Sequence, residues 1–122
     1  MLDLAGGNPN AMPLSKAAIG WFVDKTLAKS EDAKSPMLNL TTMADLKGLP
    51  TATVVNGEID PIFSDGEMPV AKLKAAGVKT THLTYKGATH EFFGLDAVVA
   101  DAKTAQDAAA RDLKAAFGTA SR

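Results

Sequence analysis

Two strand-like runs separated by a single helix's length of chain constrain this protein most. Thr51–Asn56 is nearly all Thr, Ala and Val, while Val78–Tyr85 alternates Val78, Thr80, His82 and Thr84 against Lys79, Thr81, Leu83 and Tyr85. Such β-branched runs predict strands, and the more uniform first run predicts one covered on both faces. Between them, Ser64-Asp65-Gly66-Glu67 matches a capping-box helix start and Gly77 fits the residue after a helix end. Pro69 falls beyond the free N–H groups of a first turn capped by Ser64. The regular helix is therefore expected to begin nearer Met68, or to bend there, and to run to about Ala76. A strand, a short crossover helix and a second strand imply parallel strands joined with a right-handed hand.

The flanks extend this α/β unit. Residues 1–13, with paired glycines, prolines and asparagines, read as loop. From about Ser15 to Lys29, Ile19, Phe22, Val23 and Leu27 recur at helical spacing, with Trp21 near the flank of that stripe. Residues 30–50 are polar and interrupted by Pro36 and Pro50, which predicts a long connection with one turn around Met43–Lys47. Connections of that length are usually functional or shielded by neighbouring structure. Near the end, Val98, Val99, Ala102, Ala105, Ala109, Leu113 and Phe117 draw one stripe on a helix expected over 96–117 and closed by Gly118. The whole of 1–122 thus reads as a partial α/β domain: loop (1–13), helix and long connection (14–50), then strand-helix-strand-helix (51–122).

Composition removes several function classes. Lys plus Arg is 13 against 14 for Asp plus Glu, a net charge of −1, and the basic residues are scattered. That argues against a nucleic-acid or membrane-surface footprint. Cysteine is absent, so disulfides and thiolate metal sites are excluded. No apolar stretch approaches the ~20 residues of a membrane helix. Met1–Asn10 lacks the basic start and apolar core of a signal peptide and reads as a loop from mid-protein. The expectation is a soluble chain, cytoplasmic by default. No His, Asp or Glu cluster has metal-ligand spacing, and no cofactor is implied.

Chemistry is expected where the strands end. Val54-Val55-Asn56-Gly57-Glu58-Ile59-Asp60-Pro61 closes an apolar run with an acid and a proline. Tyr85-Lys86-Gly87-Ala88-Thr89-His90-Glu91-Phe92-Phe93-Gly94 closes another with a glycine turn and a histidine. Functional groups in open α/β sheets collect just past the carboxyl ends of parallel strands. An acid at one end and an imidazole at the other are what an acid–base relay requires. Taken alone, however, Asp60 is also an ordinary turn-former before proline, and His90 an ordinary loop residue. His82, within a strand, reads as structural. Glu58 and Asp65 read as turn and helix-start residues, Ser64 as a helix cap, Ser35 as a loop residue, and Phe92 and Phe93 as core. No G-x-S-x-G nucleophile elbow occurs in the 122 residues.

An ordered set of short segments carries a resemblance. Leu46-Lys47-Gly48-Leu49-Pro50, Glu58-Ile59-Asp60-Pro61-Ile62, Asp65-Gly66-Glu67, Ala75-Ala76-Gly77-Val78 and Thr89-His90-Glu91-Phe92-Phe93 follow one another as in the carboxyl half of hormone-sensitive-lipase-like carboxylesterases. The spacing from Asp60 to His90 matches as well. The resemblance implies the C-terminal portion of an α/β-hydrolase fold, with two parallel strands and about three helices. It implies Asp60 as the orienting acid and His90 as the general base of a Ser-His-Asp triad that acts on a small-molecule ester. The G-D-S-A-G-G elbow and H-G-G-G oxyanion loop of that family lie upstream of the matching region and are not in this chain. Thr51, Glu91 and Pro69 also depart from its usual residues. Strands that expect helices on both faces would leave apolar surface and an open edge. The alternative to a hydrolase segment is therefore a non-enzymatic fragment or assembly module of that fold, with a homo-oligomer or a complementary N-terminal segment as the expected partner. A hydrolase-fold receptor without catalysis has no need of both Asp60 and His90.

Overall fold

Strands β1 (Ala52–Gly57) and β2 (Thr80–Tyr85) lie side by side as a parallel pair, in register from Ala52↔Thr80 to Gly57↔Tyr85. The structure is a computed structural model, described here over residues 8–39 and 45–118. Helix α1 (Lys16–Thr26) precedes the strands, α2 (Phe63–Ala75) joins them, and α3 (Ala100–Ala116) follows. Single 3₁₀ turns occupy Ser30–Lys34 and Phe92–Gly94. The described residues thus hold two parallel strands and three α-helices, the arrangement that the resemblance implies.

Side chains alternate across a strand, so each face of the sheet has its own helix. On one face, Thr53 Oγ1 donates to Asp112 Oδ2 of α3 at 2.7 Å. Further along that face, Val55 and Tyr85 pack on Ala88, Phe92, Ala102 and Ala105, with Val99 at the margin. Ala102 and Ala105 have no exposed surface, because residues this small let α3 sit close to the strands. The Tyr85 and Phe92 rings meet at 5.2 Å in a tilted pair. On the other face, the buried Asn56 side chain lies against Gly66 of α2, whose Val70 is also buried.

Several boundaries differ from the sequence expectation. Helix α2 begins at Phe63, not near Met68, and Ile62 occupies the cap position with no side-chain cap, so Ser64 is not the cap. The Asp60 turn sets this start instead. Asp60 Oδ1 accepts from the Ile62 N–H and the Asp60 carbonyl accepts from the Phe63 N–H, which aligns the first turn before Ser64 is reached. Pro69 therefore lies inside the helix, where its ring removes one N–H from the ladder. At the other end Gly77 N–H bonds the Lys74 carbonyl and Val78 N–H the Leu73 carbonyl, the closure expected of a glycine-terminated helix. Val78 is buried ahead of β2, which starts at Thr80 and not at Val78.

Helix α3 starts at Ala100, not at 96. Gln106 Nε2 donates back to the Phe93 carbonyl at 2.7 Å and to Asp96 Oδ1 at 3.2 Å, which holds 93–96 as a separate turn. Its buried line is Ala102, Ala105 and Ala108. Leu113 and Phe117 of the expected stripe are exposed, as is Val98. Helix α1 is capped by Ser15, whose hydroxyl accepts from Ala18 N–H, and ends at Thr26, short of Lys29. Of its expected stripe only Ile19 is buried. Trp21 and Phe22 are 57% and 54% exposed and contact each other edge-on at 5.3 Å. The connection to β1 contains the Ser30–Lys34 turn and a turn at 47–48. Met43 and Ala44, at the start of the turn expected around Met43–Lys47, lie outside the described residues.

Candidate active site

Asp60 follows β1 within three residues, in a turn its own side chain builds. Its Oδ1 accepts from the Ile62 N–H at 2.9 Å, and Pro61 beside it is fully buried. Asp and Asn favour such turns because the carboxyl or amide oxygen reaches the backbone two residues on. Asp60 is 6% exposed, and its second oxygen, Oδ2, stands 2.8 Å from His90 Nδ1. Both carboxylate oxygens are thus engaged. Opposite an ionised Asp60, Nδ1 carries the proton and donates, so Nε2 of the neutral ring holds the free lone pair. The His90 side chain is 31% exposed, which leaves that nitrogen within reach of another group.

The turns bearing Asp60 and His90 are also laced together by backbone. Glu58 N–H donates to the Tyr85 carbonyl at 3.0 Å and Ile59 N–H to the Ala88 carbonyl at 3.1 Å. The Glu58 carboxylate accepts from Gly87 N–H at 2.8 Å. Gly57 lets the turns approach: a Cβ there would stand 2.5 Å from the Ala88 carbonyl oxygen and 2.7 Å from that of Thr89. Gly57, which the sequence reading does not single out, and Glu58, a turn residue as expected, thus join the two turns. Their one sequence signal is their place between the strand and Asp60.

A cavity of about 350 Å³ opens beside the Asp60–His90 pair. Val54, Val55, Asn56 and Gly57 line it in succession, together with Ile62, Gly66, Phe92 and Phe93. Residues of both strand faces contribute, so the cavity runs along the edge of β1 that β2 does not occupy. Phe92 is core as expected; Phe93 is partly exposed and forms part of the wall. His82 takes no part in the pair, and its Nε2 lies 2.9 Å from Asn56 Oδ1 within the packed face. Among the described residues, no group of three or more His, Asp or Glu could hold a metal ion. No helix among them is long and apolar enough to cross a membrane.

Comparison with known proteins agrees with this fold. Residues 4–94 match a family described as having the alpha/beta hydrolase fold. An arylesterase of Saccharolobus solfataricus is 30% identical over 103 residues, covering 76% of this chain and 32% of the arylesterase. EstE1, a thermophilic carboxylesterase cloned from a metagenomic library, superposes with a TM-score of 0.81 at 30% identity, over 87% of this chain and 36% of that one. An esterase of Pyrobaculum calidifontis superposes with a TM-score of 0.83 at 27% identity, over 95% and 40%. The chain therefore spans well under half the length of these relatives. It belongs to the α/β-hydrolase-fold family and corresponds to part of the fold that these esterases share.

Proposed function

We propose that Asp60 and His90 are the acid and base of a Ser-His-Asp triad in a carboxylic-ester hydrolase, acting with a serine and an oxyanion hole outside these 122 residues. The observation that carries this reading is the 2.8 Å contact between His90 Nδ1 and Asp60 Oδ2 at the mouth of an apolar-walled cavity. In such a triad the His Nε2 takes the serine proton as the hydroxyl attacks the ester carbonyl, then returns it to the leaving alcohol. The carboxylate fixes the Nδ1–H tautomer and stabilises the imidazolium that forms between the two steps. Asp60 suits that role because its other oxygen is held by a backbone N–H and cannot swing away. Oxyanion donors, each typically worth ~10²–10³ in rate, would come with the serine segment.

The test is a chimera in which this chain replaces the matched segment of the Saccharolobus solfataricus arylesterase, assayed with p-nitrophenyl acetate. Hydrolysis is expected, with a loss of about 10³-fold or more for either His90→Ala or Asp60→Ala. A folded chimera whose hydrolysis is indifferent to both substitutions would sink the reading. The 122-residue chain alone is expected to show no His90-dependent turnover.

A second reading concerns assembly, and the open edge of β1 favours it. Among the described residues nothing pairs with that edge, and Thr53, Val54 and Val55 carry none of the charge or proline that protects exposed strands. The occupant we propose is the esterase segment that this chain does not span, because the matched esterases are more than twice its length. Adding that segment as a separate polypeptide should give a 1:1 complex by solution mass. A stable homodimer that excludes the segment would overturn this choice of partner.

A further inference from the structure

We infer that Glu58 is a positioning residue for His90. The inference rests on the reading of Asp60 and His90 as an acid–base pair and adds what holds that pair in register. Three hydrogen bonds join the Asp60-bearing turn to the His90-bearing turn besides the Asp–His contact itself. Two are main-chain bonds at the base, from Glu58 N–H to Tyr85 and from Ile59 N–H to Ala88. The third is made by a side chain at the outer tip, where a Glu58 carboxylate oxygen accepts from Gly87 N–H at 2.8 Å.

The position of that third bond matters. His90 is three residues beyond Gly87, whose φ of +71° reverses the chain after β2. Glu58, Lys86 and Gly87 are exposed, so without the carboxylate the Gly87 N–H would turn to water and only the base of the turn would stay tied. Ala88 is buried below, and its carbonyl accepts from Ile59 N–H, which ties the base of the turn but not its tip. Gly87 and His90 stand three residues apart on the same turn, so a tip released from Glu58 loosens the segment that carries the imidazole. Placement errors near 1 Å can cost a catalytic group ~10²-fold, so a bond that limits them has a kinetic consequence. Glu58 is exposed and outside the buried Ala88–Phe92–Ala102–Ala105 cluster, so its substitution leaves that cluster's residues in place.

Glu58→Ala and Glu58→Gln separate this role from a charge effect, since a glutamine oxygen can accept from Gly87 N–H as the carboxylate does. Both variants of the full 122-residue chain are followed by NMR through the Gly87 amide and the His90 Nδ1–H. Only one other histidine is present, so the imidazole signal is assigned with His90→Ala. Glu58→Ala is expected to speed exchange of both protons about tenfold, and Glu58→Gln to restore them to within about twofold of the parent. In the arylesterase chimera, Glu58→Ala is expected to lower kcat about tenfold with KM unchanged, and Glu58→Gln to recover it. The inference is overturned if Glu58→Ala leaves His90 Nδ1–H exchange unchanged, or if Glu58→Gln behaves like Glu58→Ala. Asp60→Asn provides the separate control. If it leaves the His90 Nδ1–H unprotected no more than the parent, the acid–base pairing itself fails, independently of Glu58.

Discussion

The corner at the carboxyl ends of the strands and the α1 region are built on opposite principles. At the corner, backbone, side-chain and packing constraints coincide. The Asp60 carboxylate builds its own turn, Gly57 admits the neighbouring carbonyls, and Ala102 and Ala105 bring α3 against the sheet. In α1, the cap and the helical spacing are equally sound, yet Trp21 and Phe22 remain on the surface and only Ile19 is buried. Local signals are enough to form a helix, but only a partner surface can bury its stripe. The Asp60–His90 contact is closed by residues of this chain, whereas Trp21, Phe22 and the free edge of β1 have no cover among the described residues.

The sharpest way to break this contrast is to fill the space that Gly57 leaves. A Cβ would press on two main-chain oxygens, which cannot rotate aside as a side chain could. Gly57→Ala is therefore expected to cost about 1–3 kcal/mol and to separate the Asp60 and His90 turns. Urea unfolding gives the first effect and the His90 Nδ1–H signal the second. A variant of parent stability with that signal intact would show that the two turns tolerate a wider gap.

Ala105→Leu tests the second constraint, the close seat of α3. With no exposed surface at Ala105, three added carbons must displace Phe92 or Tyr85, at a cost of about 1–3 kcal/mol. Its effect on the site should be smaller than that of Gly57→Ala, because α3 reaches Asp60 only through the packed cluster. By contrast, Trp21→Ser and Phe22→Ser should change unfolding free energy by less than about 0.5 kcal/mol. Both should lower self-association measured by sedimentation. A loss of stability comparable to that at Ala105 would mean that α1 is buried after all.

The fold and the meeting of Asp60 with His90 are legible because each rests on local pattern. Alternating and β-branched runs marked the strands, a capping pattern and Gly77 marked the crossover helix, and Asp60 and His90 stand at strand ends. What was not legible depends on contacts across the chain. Ser64 matches a cap in sequence, but the Asp60 turn starts α2 before it. Asp96 looked like the start of the last helix, but Gln106 bonds to it and to Phe93 across a turn. The stripe on α3 reads on through Leu113 and Phe117, whereas Asp112 already lies beside Thr53 at the start of β1 and both apolar residues beyond it are exposed. Glu58 is a turn residue as its neighbours predict, but its bond to Gly87 joins positions far apart in sequence.

The smallest expected effect lies at the opposite end of β1, where Thr53 bonds Asp112. The Thr53 hydroxyl, more than any other cause, holds the Asp112 carboxyl below the usual aspartate range, with Arg111 and Lys79 adding to it against desolvation. A carboxyl with a lowered folded-state pKa contributes stability that is present above its unfolded pKa and is lost as pH falls through the folded value. The stability gap between the parent and Thr53→Val should therefore be open at neutral pH and narrow as pH falls below about 4. Urea unfolding at a series of pH values measures it. A gap that stays constant down to the acid limit would assign the contribution of Thr53 to packing against α3, and the two ends of β1 would then differ in shape rather than in charge.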